Sequence, residues 1–172
     1  KLRTKLKQHK IDLLGAIPYN DILARPRLGE IARNLNANVM YGKEYLNNLA
    51  NEPRVAAMTI GNALMRFDDG TLLITPGDRE DMILAAMISR VATTYPNISG
   101  LVLCGGFEPS DAIKKLIGGL SGFNIPILQV PADTIETVML VKQMPISLYA
   151  GDTETTKSLQ KDIQTYMQRE EV

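Results

Sequence analysis

Short apolar runs alternate with segments in which apolar residues recur every three or four positions along most of the chain. The run at 72–74 is followed by Pro76 and Gly77 and then by the helical pattern of 82–94, which predicts a buried strand, a sharp turn and a helix. The same design recurs at 101–117 and at 125–144. Strands that alternate with helices in this way are typical of an α/β fold with a mostly parallel sheet.

Weaker patterns predict the remaining elements. Strands are expected at 11–17, 39–41, 55–60 and, as an edge strand, 146–150. Helical segments are expected at 1–10, 26–35, 43–50, 61–67 and in a last helix capped by Asp152 or Thr153. The helix after 125–130 begins with Asp133 as N-cap and Glu136 three residues later, which is a capping-box pattern. The methionines expected to fill the core are Met58, Met65, Met82, Met87 and Met139.

Three predicted strand ends carry turn residues that are followed at once by a helix start, at 75–79, 104–108 and 131–134. Ligands of parallel α/β sheets bind outside the carboxyl ends of the strands, so these turns form a candidate ligand site. We expect the corner at 77–79 and the glycine corner at 105–106 to be neighbours in space. The candidate ligand-binding residues are Thr75, Gly77, Asp78, Arg79, Cys104, Gly105, Gly106, Asp133 and Thr134.

Arg79 is the most informative of these residues, because a cation in the first turn of a helix opposes the helix dipole unless an anion pairs with it. The anion is either an internal carboxylate, such as Asp81, Glu108 or Asp133, or the phosphate of a ligand. In the second case, free amides of the three turn glycines would bind the phosphate together with Arg79. Thr134 is likewise either a capping hydroxyl or a phosphate contact.

Composition argues against several classes of function. The 172 residues carry a formal net charge of zero, which leaves no electrostatic footprint for nucleic acid or for an anionic membrane surface. Apolar runs reach strand length only, so no transmembrane segment or signal peptide is predicted. The single cysteine, Cys104, excludes an internal disulfide and suits a reducing cytoplasm. Because the chain begins with Lys1, we expect it to be a piece of a longer protein.

The inventory of reactive side chains is short. The one histidine, His9, lies in the basic N-terminal segment, and one histidine with one cysteine makes a transition-metal site improbable. Cys104 is either a nucleophile at a helix N-terminus or a small apolar residue that ends a buried strand. Asp78 and Asp81 are either a carboxylate pair for acid–base or magnesium chemistry or a helix cap with its neighbour. Glycine motifs of nucleotide-binding folds are absent, so we predict no catalytic residues, no metal and no cofactor.

At its two central turns the sequence resembles the DRTGG domain, a family whose signature pairs Asp-Arg after one strand with Thr-Gly-Gly after the next. Here these residues are Asp78-Arg79 and Cys104-Gly105-Gly106, and the strand at 125–130 also resembles the family's next strand. The resemblance covers residues 27–130. Cys104 replaces the threonine and removes a hydroxyl that could contact a ligand. The resemblance implies a three-layer α/β/α fold similar to the N-terminal domain of HPr kinase/phosphorylase.

The flanking segments at 14–18, 23–26 and 133–134 resemble the region N-terminal to the catalytic domain of phosphate acetyltransferases. They equally resemble shorter relatives that join a P-loop domain to a DRTGG domain. The resemblance implies that residues 1–18 are a linker or the tail of a preceding P-loop-like domain, that 19–150 are the DRTGG-type domain, and that 151–172 are a C-terminal helix. DRTGG domains also occur in regulated pyrophosphatases, beside domains that sense adenine nucleotides.

Three functions remain open from the sequence. The first is a cytoplasmic, non-catalytic regulatory and oligomerisation domain, which forms a homodimer or a higher homo-oligomer. The second is a sensor of an adenine nucleotide or another small anion, bound at the clustered turns. The third is part of an active phosphate acetyltransferase. The thin inventory of reactive side chains favours the first, because the residues predict an intact core with almost nothing that breaks bonds.

Overall fold

Five strands within residues 25–144 form one sheet in the order β1-β5-β4-β3-β2. The strands are β1 (Asn38–Tyr41), β2 (Pro53–Val55), β3 (Leu72–Pro76), β4 (Gly100–Cys104) and β5 (Ile127–Gln129). Strands β2 to β5 are parallel, and β1 pairs antiparallel with β5. This arrangement confirms the predicted mostly parallel sheet. The computed structural model of the protein describes residues 2–13, 16, 18, 25–120, 122–144 and 153–167.

The chain divides into two compact units, Arg25–Pro145 and the two chain ends, Lys1–Ala24 with Ile146–Val172. The first unit holds the sheet, a 3₁₀ turn at Lys43–Tyr45 and five helices, α2 (Leu28–Asn34), α3 (Ile60–Leu64), α4 (Glu80–Val91), α5 (Asp111–Gly119) and α6 (Thr134–Lys142). The second unit contains α1 (Leu2–Gln8) and α7 (Thr153–Met167). The predicted helices at both ends of the chain are therefore present.

Helices cover both faces of the sheet. Successive side chains of a strand point to opposite faces, so each strand contributes residues to both covered faces. Leu73, Leu101 and Ile127 pack on one face in a buried cluster with residues of α3, α4 and α5. Leu72, Val102 and Leu128 pack on the other face in a cluster with residues of α2 and α6. This is the three-layer α/β/α architecture expected from the sequence. Both faces of the central strands are fully buried, which explains why those strands read as continuous apolar runs.

The register of the two central strands decides where their ends lie. Leu73 pairs with Leu101, and the last pair joins Pro76 to Cys104. The turns after β3 and β4 therefore start side by side at the same edge of the sheet. Strand β5 ends one residue earlier than β4 at that edge, because its last residue, Gln129, pairs with Leu103 and not with Cys104.

Several element boundaries differ from the prediction. Strand β2 is Pro53–Val55 rather than 55–60, and residues 56–59 form a loop before α3. The helix predicted at 43–50 is reduced to the 3₁₀ turn Lys43–Tyr45. Helix α2 begins at Leu28, two residues after Pro26, because Arg27 forms a bridge with Leu49 and is held in extended backbone.

The predicted strand at 11–17 is not found among its described residues, 11–13 and 16. The amide of Ile11 bonds back to the carbonyl of Leu6, 3.0 Å away, and so closes α1 instead of entering a sheet. The remaining residues of that prediction, and the predicted edge strand at 146–150, lie outside the described residues. Two of the methionines expected in the core are at the surface, since Met65 is 84% and Met139 53% exposed.

Candidate functional site

The turns after β3 and β4 contact each other directly. The amide of Gly77 donates to the carbonyl of Cys104 at 3.1 Å. A Cβ added at Gly77 would overlap the backbone carbonyl of Phe107, so only glycine fits this approach. The expectation that the corners at 77–79 and 105–106 are neighbours is confirmed.

The turn after β5 also contacts the turn after β4. Gly105 and Gly106 have positive φ angles, 82° and 69°, which turn their amides toward the chain that follows β5. Gly105 donates to the carbonyl of Ala132 at 2.7 Å, and Gly106 donates to Val130 at 3.0 Å. The three turn glycines therefore do not offer the free amides that the second interpretation of Arg79 required. Their amides join the three turns to one another.

Arg79 forms an ion pair with an internal carboxylate, that of Asp81, as the first of the two interpretations of Arg79 states. Its Nε and one terminal nitrogen contact both carboxylate oxygens of Asp81, at 2.8 and 2.9 Å. The guanidinium also donates to the carbonyls of Met58, at 3.1 Å, and Ala57, at 3.5 Å. The hydrogen bond from Arg79 lowers the pKa of Asp81 below its usual value, although partial burial opposes that shift. Arg79 therefore fixes the loop after β2 to the first turn of α4.

Two further carboxylates brace neighbouring elements at this edge. Glu80 accepts a hydrogen bond from the amide of Ser110, the N-cap residue of α5, at 2.7 Å. Hydrogen bonds from the side chain of Ser110 and then from its amide lower the pKa of Glu80. Glu108 pairs with Lys114 at 2.6 Å, and the hydrogen bond lowers the pKa of Glu108. Lys114 in turn has a raised pKa for the same reason. The first turn of α4 thus contacts the loops on both sides of it.

The other candidate residues have structural contacts too. Thr75 is fully buried, and its hydroxyl donates to the carbonyl of Ala56 at 3.3 Å. Asp133 caps α6 by accepting from the amide of Glu136 at 2.8 Å, as predicted. Asp78 is not the N-cap of α4, because a turn at 76–79 delays the helix and makes Arg79 the N-cap. Cys104 is buried, and its sulfur lies 3.0 Å from the hydroxyl of Thr134.

A shallow depression of about 540 Å³ lies beside Arg79 and Asp81. Its other wall is the segment 57–61, the loop after β2 with the first residues of α3. The sequence pattern predicts a strand over 57–60 and a helix from Gly61, so these residues are not among the predicted site residues. The signal for a loop was the polar Thr59 two residues before Gly61, which was too weak against the apolar residues around it.

Among the described residues, no group of three or more histidines, cysteines or carboxylates is arranged to hold a metal ion. His9 belongs to the unit formed by the chain ends. Within the described part of the chain, no helix is long and apolar enough to cross a membrane.

These features define a class of protein before any comparison: an α/β/α domain in which an Asp-Arg turn and a glycine pair brace the carboxyl ends of parallel strands. The model of the DRTGG domain family matches residues 30–144. The chain therefore belongs to the DRTGG domain family. The signature residues Asp78-Arg79 and Gly105-Gly106 lie in the two central turns.

Curated relatives are phosphate acetyltransferases. The protein of Nitratidesulfovibrio vulgaris is 41% identical over 128 residues, which are 74% of this chain and 18% of that protein. The protein of Synechocystis is 42% identical over 126 residues, 73% of this chain and 18% of that protein. The chain thus spans less than a fifth of the length of these relatives.

A solved structure shares the fold. It contains the CBS and DRTGG domains of the regulatory region of Clostridium perfringens pyrophosphatase, complexed with the activator diadenosine tetraphosphate. The TM-score is 0.54 at 18% sequence identity, and the alignment covers 80% of this chain and 59% of that chain.

Proposed function

We propose that this chain acts as a non-catalytic regulatory and self-association domain of a cytoplasmic phosphotransacetylase-family protein. The observation that carries the proposal is the use of polar groups at the carboxyl ends of the strands. Amides of the turn glycines bond to neighbouring turns, and Arg79, Glu80 and Asp133 bond to internal partners. Ligands of open α/β sheets bind outside the carboxyl ends of the strands, where they contact such groups. Here they stabilise a scaffold.

Sheet topology supports the same conclusion. Ligand crevices of open α/β sheets form where the strand order reverses, since the loops on either side then diverge. Strands β2, β3, β4 and β5 follow one another in chain order without a reversal, and α3, α4 and α5 pack on one face. The parallel part of the sheet therefore has no such crevice.

The relatives supply the context. The matched segment is a small part of each phosphate acetyltransferase. In the pyrophosphatase neighbour, the DRTGG domain lies in a regulatory region. We extend both observations to this chain: residues 19–150 would form the regulatory domain, with 1–18 linking it to a preceding domain and 151–172 adding a helix. Self-association would give a homodimer with two-fold symmetry, through an edge strand or the amphipathic C-terminal helix.

Light scattering of the purified chain over a range of concentrations tests self-association. The expected mass is at least twice that of the monomer, and a strict monomer at high concentration would refute this half of the proposal. A coupled assay for acetyl-CoA formation tests the other half. The expected rate equals that of a buffer blank, whereas a rate proportional to protein concentration would make the chain an acetyltransferase.

The depression beside Arg79 favours a second candidate, the sensing of an adenine nucleotide or another small anion. The DRTGG-containing pyrophosphatase was crystallised with diadenosine tetraphosphate, which gives this ligand class a precedent in the fold family. Titration calorimetry with ATP, acetyl phosphate and coenzyme A tests the candidate. Heat that saturates with one of them is expected, and no heat with any of the three would remove it.

A further inference from the structure

Helix α4 carries apolar side chains on its solvent side as well as on its buried side. Its buried side packs in the cluster on one face of the sheet. On the opposite side, Leu84 is partly exposed, Ile88 is 68% exposed and Val91 is 50% exposed. These residues are four and three positions apart, so they form one apolar stripe along the helix. A helix that is apolar all round is a buried helix, so the apolar stripe indicates a contact with another molecule.

The layer around α4 is wide enough for a protein partner. Helices α3, α4 and α5 follow successive parallel strands and cover the same face of the sheet, with α4 in the middle. Leu116 of α5 adds an exposed apolar side chain in this layer. A helix of 12 residues is about 18 Å long, and helices packed about 10 Å apart form a layer about 20–30 Å wide. These dimensions approach the roughly 800 Å² that each partner buries in a specific interface.

The two ends of the apolar stripe carry opposite polar groups. At the N-terminal end, residues 78–81 combine three carboxylates with one guanidinium. At the C-terminal end, the half-buried Arg90 and the exposed Tyr95 supply a positive charge and a hydroxyl donor. Two copies with antiparallel α4 helices bring each acidic end to the donor end of the other copy and oppose the two helix dipoles. Parallel helices would bring the two acidic ends together, which is unfavourable. The charges therefore favour a second copy in the antiparallel arrangement.

The two edges of the sheet are poorer contacts. Strand β2 is three residues long and begins with Pro53, which has no amide to donate. The pairing of β1 with β5 is irregular between Val39 and Tyr41. Short edge strands, proline and irregular pairing are features that protect an edge against the addition of another strand.

We propose that a second copy of this chain binds on the apolar stripe, with the two α4 helices antiparallel about a two-fold axis beside Ile88. The proposal rests on the self-association proposed above, and it moves the contact from an edge strand or the C-terminal helix to α4. Ile88 lies near the midpoint between Leu84 and Val91 in sequence. In this register Leu84 of one copy therefore faces Val91 of the other, and the two copies of Ile88 meet at the axis.

Light scattering over a dilution series tests the surface. Ile88→Glu should raise the Kd of the dimer at least about tenfold, because it brings two like charges together in an apolar contact. Ile135→Glu is the matched control, since Ile135 is 73% exposed in α6, which packs on the opposite face of the sheet. It should change the Kd less than about twofold.

Disulfide trapping tests the register. On mild oxidation, Ile88→Cys should give a linked dimer, because the two cysteines face each other at the axis. Leu84→Cys alone should give little linked dimer, whereas an equimolar mixture of Leu84→Cys with Val91→Cys should link. The wild type is the control and should stay unlinked, since its Cys104 is buried.

Each other outcome counts against a defined part of the proposal. A wild-type dimer that Ile88→Glu leaves intact overturns the contact through α4, while self-association stands. Leu84→Cys that links to itself as readily as Ile88→Cys overturns the antiparallel arrangement. A wild type that is monomeric at every concentration, together with no link from Ile88→Cys, overturns both this contact and self-association.

Discussion

Gly77 packs so closely against the turn after β4 that a single added methyl group has nowhere to go. Gly77→Ala should lower the free energy of unfolding by about 1–3 kcal/mol, because the new Cβ overlaps the carbonyl of Phe107 and the backbone must shift. Gly61→Ala is the control, since its Cβ has open space in a helix and should raise stability by about 0.5–1 kcal/mol. Urea unfolding measures both. Equal effects of the two changes would contradict the close approach at Gly77.

The ion pair between Arg79 and Asp81 predicts a specific dependence of stability on pH. The hydrogen bond from Arg79 holds the pKa of Asp81 below its ordinary value of 3.8 in the folded state. Its contribution is therefore complete above pH 3.8 and is lost as the pH falls through the lower, folded pKa. Because Asp81 is 45% exposed, the contribution should be only about 0.5–1 kcal/mol.

Asp81→Asn should remove this contribution. The difference in unfolding free energy between wild type and variant should stay constant from neutral pH down to about 3.8 and shrink below it. Urea titrations at stepped pH values measure the difference. A gap that persists at strongly acidic pH would mean that the variant acts through packing instead.

At the scale of elements, Glu80 links α4 to α5 through the amide of Ser110. Glu80→Ala should speed hydrogen exchange of the Ser110 amide by about threefold to tenfold, because the amide loses its acceptor and the start of α5 opens more often. Glu108→Ala is the control, since Glu108 bonds to Lys114 instead. An unchanged rate at Ser110 in the first variant would contradict the link.

Elements with strong periodicity could be predicted from the sequence, and weak ones could not. Strands β3 and β4 are buried on both faces, so their apolar runs gave their positions to within a residue or two. Strand β2 was misplaced because residues 56–59 are as apolar as a strand yet form a loop tied to Arg79. The local sequence pattern carries no information about tertiary hydrogen bonds, and here those bonds decide that the segment is a loop and not a strand.

At the scale of the whole molecule, the division into two units predicts that the sheet-bearing unit folds alone. A chain of residues 25–145 should unfold cooperatively in urea with a slope of about 1–2 kcal/mol/M, because both faces of its sheet are covered by its own helices. Circular dichroism follows the transition. A broad, non-cooperative transition would show that the chain ends are needed to complete the core.

The neighbouring turns of the candidate site could be predicted from the sequence, but their hydrogen bonds and the segment 57–61 could not. Turn residues at Gly77, Gly105 and Asp133 indicated turns that share one edge of the sheet, since parallel strands end together. Whether an amide is free depends on which carbonyl faces it across the edge, and this follows from strand register. The register that pairs Pro76 with Cys104 is a property of the folded chain.

The position of β1 has a consequence for folding during synthesis. Strands β3, β4 and β5 each pair with the strand made just before, so that part of the sheet can grow as the polypeptide leaves the ribosome. Strand β1 is made first but pairs only with β5, the last. Its hydrogen-bonding edge must therefore wait for nearly the whole domain, and its docking closes the longest loop in the sheet. Strand β1 is therefore the segment that a chaperone bound to the nascent chain would need to shield.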